Sequence, residues 1–65
     1  MKKEEKQVLI NKYISEGLNF DEANYKLRTV IKQLKDMEDK FRKQNKSESY
    51  IQERFAREFE KLINR

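Results

Sequence analysis

Residues 20–41, FDEANYKLRTVIKQLKDMEDKF, place Phe20, Ala23, Leu27, Val30, Leu34, Met37 and Phe41 alternately three and four residues apart. On a helix that spacing brings all seven onto one apolar stripe. No Pro or Gly interrupts the stretch, and charged residues fill most of its other positions. The seam predicts a long helix over residues 21–44 that packs along its length against other helices. Ile31 sits beside the stripe and broadens it. Acidic-to-basic pairs four residues apart (Glu22/Lys26, Asp36/Lys40, Glu38/Arg42, Asp39/Lys43) support an exposed outer face. The positions flanking the seam lack the opposite-charge set of a parallel two-stranded coiled coil, so a bundle is the better expectation.

Working outward, Leu9, Ile10, Tyr13 and Ile14 lie at helical spacing, with Val8 widening their stripe. They predict a helix over residues 3–16. Gly17, the only glycine, fits the left-handed position that ends such a helix, with Leu18 packing back on its last turn. The next helix has two candidate starts. Asn19 and Glu22 can form a capping box. Alternatively Asp21 is the N-cap, and Phe20 and Tyr25 form a hydrophobic staple. Either way the turn is short enough to make the first two helices antiparallel neighbours.

Residues 42–49, RKQNKSES, are polar but hold neither Pro nor Gly. Asn45 with Glu48, or Ser49 with Gln52, could cap a third helix over residues 49–64, with Ile51, Phe55, Phe59, Leu62 and Ile63 on one face. A fusion of the second and third helices into one rod is the alternative. No internal repeat is evident beyond a weak echo of Lys40-Phe41-Arg42-Lys43 in Arg54-Phe55-Ala56-Arg57. The expected fold is all-α: one domain over residues 1–65, a small antiparallel bundle of three helices.

Only 23 of the 65 residues are apolar, and 43% are charged. A core of that size is small for a self-supporting domain, and no disulfide or metal supplements it. Burial of the seam against a second copy, most simply in a two-fold homodimer, or against an obligate partner is expected. The absence of Cys gives no link to an oxidising compartment. The longest apolar run near the start, Val8-Leu9-Ile10, is too short for a signal peptide or a membrane span. A soluble cytoplasmic protein without membrane association is the expectation. The lysine-rich, Arg- and Ala-poor composition points to an AT-rich bacterial or phage genome.

Site chemistry is sparse. Without His or Cys, the commonest general base, the thiol nucleophile and nearly all structural zinc sites are excluded. A single Gly excludes phosphate-cradling loops and dinucleotide fingerprints. Asp36, Glu38 and Asp39 do not match a calcium-loop spacing and read as a solvated helix face. No catalytic residue, metal or cofactor is expected, and the chain is not read as an enzyme.

Two sets of candidate contact residues remain. Tyr25, Ile31, Tyr50, Phe55 and Phe59 flank the seam or form the third helix's apolar face, and are candidates for contact with a protein partner. For Tyr25 and Tyr50 local capping is the equal alternative, and for the Phe residues it is the core. The second set is basic. Arg28, Lys32, Lys35, Arg42 and Lys46 line one face of the second helix, interrupted by Asp39. Arg54, Arg57, Lys61 and Arg65 form a similar stripe on the third. Such rows could follow a phosphate backbone. Against this, the net charge is only +4, acidic residues neighbour both stripes, and the second helix begins with Asp21-Glu22 where a DNA-reading helix would meet the groove.

The function expected is therefore a small non-enzymatic interaction module. It would be a regulator, adaptor or inhibitor, of phage or mobile-element type, that occludes a surface on a larger protein. The alternatives are a small basic nucleic-acid-binding regulator and a phage structural or assembly protein.

Overall fold

The computed structural model describes residues 1–64, and among them it contains three α-helices and no strand. These are α1 (Lys3–Ser15), α2 (Phe20–Lys43) and α3 (Glu48–Ile63). The second and third helices are separate, so the single-rod alternative is excluded. No helix among the described residues is long and apolar enough to cross a membrane.

The helix ends follow from a few side chains. At the end of α1, Gly17 adopts φ +103°. Its N–H donates to the Ile14 carbonyl at 3.0 Å, and the Leu18 N–H donates to the Tyr13 carbonyl at 3.1 Å. This is the Schellman arrangement, which satisfies carbonyls the helix leaves unpaired. Two residues later Asn19 caps α2. Its Oδ1 accepts from the Glu22 N–H at 2.8 Å, and Glu22 Oε1 accepts from the Asn19 N–H at 3.1 Å. That capping box removes Asp21 as the cap, and with it the Phe20–Tyr25 staple. Phe20 becomes the first helical residue, and the staple positions fall to Leu18 and Ala23.

The second turn repeats the first without a glycine. Asn45 takes φ 60°, a conformation Asn tolerates better than other side chains. Its N–H donates to the Arg42 carbonyl, and the Lys46 N–H to the Phe41 carbonyl, each at 3.0 Å. Ser47 then caps α3, its hydroxyl accepting from the Tyr50 N–H at 3.2 Å. The expected caps at Asn45 and Ser49 are corrected accordingly: Asn45 closes α2, and Ser49 lies inside α3.

Packing gathers into two compact units, Met1–Ile31 and the residues from Lys32 onward, with α2 running unbroken from one into the other. In the first, Leu9 and Tyr13 of α1 and Ala23, Leu27 and Val30 of α2 are buried. In the second, Leu34 and Ile51 are buried, and Met37, Phe41, Phe55, Phe59, Leu62 and Ile63 are half-buried. The seam is thus real from Ala23 onward. Its expected first member is not part of it: Phe20 is 63% exposed, because it stands at the helix end.

Equivalent side chains clasp the two turns. The aromatic ring whose carbonyl closes each Schellman motif carries a cation from the following helix. Lys26 Nζ lies 4.5 Å from the Tyr13 ring centroid, and the Arg54 guanidinium lies 5.9 Å from that of Phe41. The pairs Tyr13/Phe41, Gly17/Asn45, Asn19/Ser47 and Lys26/Arg54 are evenly offset along the chain. None of the four pairs shares a residue type. The repeat lies in geometry and is invisible to sequence comparison.

Candidate interaction surfaces

The candidate partner residues occupy different environments. Tyr25 is 76% exposed, the most open large apolar side chain. Ile31 is half-buried beside the seam. Tyr50 is 39% exposed, and its ring meets Phe41 edge-on at 5.3 Å and carries Lys46 Nζ at 5.3 Å. The ring thus meets the last turn of α2 and the turn that precedes α3. Phe55 and Phe59 are half-buried on α3, their rings stacked at 6.2 Å. Val8 and Ile14 on α1 are also exposed.

The basic candidates divide sharply by their partners. Arg42 is held by three carboxylates: Glu48 at 3.3 Å, Glu38 at 3.6 Å and Asp39 at 3.7 Å. The Glu48 contact is a hydrogen bond from Nε, and it pushes the guanidinium pKa further above its already high ordinary value. Arg54 pairs with Glu58 at 3.7 Å, Arg57 with Glu53 at 2.9 Å, and Lys61 with Glu58 at 3.5 Å. Lys46 lies over Tyr50. In contrast, Arg28, Lys32 and Lys35 are exposed and form no ion pair among the described residues. Arg65 lies outside the described residues. A phosphate strand would therefore compete with resident carboxylates at Arg42, Arg54 and Arg57, and with none at the middle of α2.

Of the four pairs expected on α2, only Glu38–Arg42 forms among the described residues. Glu22 is engaged in the capping box and Lys26 is drawn over Tyr13, while Asp39 turns to Arg42. Those diversions account for the Glu22/Lys26 and Asp39/Lys43 pairs, and nothing in the structure explains the missing Asp36/Lys40 pair.

Tyr13 was read from the sequence only as a stripe residue. It is buried, and its hydroxyl has no hydrogen-bond partner among the described residues. Burial raises its pKa, with the Glu16 carboxylate adding to the effect. An unpartnered buried hydroxyl costs about 1–3 kcal/mol. The ring's contact with Lys26 offsets part of this, since a cation over an aromatic face contributes about 0.5–1 kcal/mol at exposed sites.

Among the described residues no group of three or more His, Cys, Asp or Glu could hold a metal ion. No family model, no curated protein and no solved structure matches the chain.

Proposed function

We propose that this chain is a non-enzymatic protein-interaction module, a regulator, adaptor or inhibitor that docks a helical surface on a larger protein. Its helices would run antiparallel in sequence order, and the free form would be a two-fold homodimer in the cytoplasm of a bacterial or phage-infected cell. One observation carries this reading. Val8, Ile14, Phe20, Tyr25 and Tyr50 all stand exposed on a chain of 65 residues. Exposed large apolar side chains are what a partner would bury, and apolar area gathered into a patch marks interaction sites. The composition, without His or Cys, supports binding over catalysis.

A nucleic-acid-binding role is the second reading, favoured by the free cations Arg28, Lys32 and Lys35. Titration with short duplex DNA and single-stranded RNA at about 50 and 200 mM salt separates the two, because phosphate contacts lose affinity steeply over that range. The expected result is no salt-steep binding, with a solution mass of two chains in the same buffers. Tight binding that collapses with salt would move the function to nucleic acid.

A further inference from the structure

Charge is segregated along α2. From Ala23 to Lys35 the helix carries Lys26, Arg28, Lys32 and Lys35 and no carboxylate. Asp21 and Glu22 precede this stretch, and Asp36, Glu38 and Asp39 follow it. Lys26 is taken up by the Tyr13 ring. The other three are exposed and unpaired among the described residues. Arg28 and Lys32 are four residues apart, and Lys32 and Lys35 three, so like charges are neighbours on one helix face and repel. Elsewhere on the chain, Arg42, Arg54, Arg57 and Lys61 each have a carboxylate between 2.9 and 3.7 Å away. Among the described residues no carboxylate pairs with these three cations to offset the repulsion in mid-α2.

Tyr25 belongs to the same face. It precedes Arg28 by three residues and Lys32 by seven, both helical spacings. From Tyr25 to Lys35 the patch extends about 15 Å along the axis, at about 1.5 Å per residue. It is therefore an exposed aromatic ring beside three free cations on one unbroken helix.

We propose that this face of α2 is a docking surface for a short acidic segment of another protein. That segment sets carboxylates against Arg28, Lys32 and Lys35 and an apolar side chain against Tyr25. The proposal rests on the protein-interaction reading and gives its partner a chemistry. Charge complementarity supplies specificity and association rate, and an aromatic anchor supplies the burial that exposed ion pairs do not. The length of the patch argues against a phosphate backbone. A nucleic-acid strand continues past 15 Å and would meet Asp21 and Glu22 at one end and Asp36 and Asp39 at the other. A protein segment can end where the positive surface ends.

The test uses the full chain and two labelled probes. One is a peptide of about 10 residues, roughly two-thirds Glu and one-third Leu, which at about 1.5 Å per residue matches the patch and ends where the positive surface ends. The other is a short mixed-sequence DNA duplex. Anisotropy is read at about 50 and 200 mM salt, a range that contrasts weak and strong screening. The peptide is expected to bind, more weakly at the higher salt. Arg28→Glu/Lys32→Glu/Lys35→Glu should weaken it about tenfold or more, and Tyr25→Ala about fivefold or more. Lys3→Glu/Lys6→Glu/Lys43→Glu makes the same change in net charge elsewhere and should weaken it less than about threefold by long-range attraction alone. Circular dichroism checks that each variant is helical, and the corresponding Gln variants replace any Glu variant that is not.

Three results overturn the proposal: no peptide binding, equal loss in the two triple variants, or tighter binding of the duplex than of the peptide at the higher salt. The last gives the surface to nucleic acid and removes the protein-interaction reading with it. A chain that ignores both probes loses only the acidic partner. The broader reading then stands on the nucleic-acid titration described above.

Discussion

Leu9→Ala and Ile51→Ala are each expected to unfold the chain at room temperature. Leu9 is 0% exposed and Ile51 is 1% exposed. Truncating a fully buried Leu or Ile to Ala costs about 2–5 kcal/mol, the sum of lost transfer energy and the cavity left behind. A single core in a chain of this size rarely supplies more than about 3–5 kcal/mol of net stability. The loss is as large as the whole margin. Circular dichroism with urea titration would show helical signal already lost, or a midpoint near zero denaturant. The two substitutions also read the two compact units separately, since Leu9 lies in the first and Ile51 in the second. A well-folded Leu9→Ala would mean that the first unit's core is not what holds it.

Phe55→Asp and Phe59→Asp carry the second large effect. Both rings are half-buried on α3 and stack on each other. Removing a fully buried Phe costs about 3–5 kcal/mol when it is replaced by Ala, and a half-buried one less, while a carboxylate placed there adds a desolvation penalty. Either variant should lose its cooperative unfolding transition or, where helix content survives, its wild-type solution mass. Phe55→Ala and Phe59→Ala, which add no charge, should fall between. If both Asp variants unfold at the wild-type midpoint and keep the wild-type mass, the α3 face is neither core nor interface. The assignment of α3's apolar stripe would then fail.

The core was legible because period alone decides it. Ala23, Leu27, Val30 and Leu34 are buried where the three-and-four spacing puts them. Phe20 was misread because period does not say where a helix begins. That depends on which of Asn19 and Asp21 caps it, and both are good caps. The second turn was harder still. Gly17 announces a left-handed residue because it has no Cβ, whereas Asn45 does the same work while looking like any polar residue. Ser47, the cap of α3, is not among the caps expected from the sequence, Asn45 and Ser49, because nothing local ranks the residues of that short polar run.

The candidate surface was legible by composition and not by partner. Tyr25 stood out as an aromatic away from the seam, and it is open. Arg28, Lys32, Lys35, Arg42 and Lys46 looked like one stripe. Three-dimensional pairing splits them, because Glu48 reaches Arg42 from beyond the turn. The absence of any carboxylate between Glu22 and Asp36 was the available signal for the free cations, and it is visible in the sequence without a structure.

The most direct test of the account is where the exposed face of α2 makes contact in the cell. A photoreactive phenylalanine analogue at position 25 is tolerated sterically, since the Tyr25 side chain is exposed. The same analogue at Gln52, exposed on α3, is the control. Irradiated in the cells that make the protein, position 25 should crosslink to one larger protein and position 52 should not. Crosslinks from position 25 only to nucleic acid, or none beyond those of the control, would contradict the claim that this chain works by docking on a larger protein.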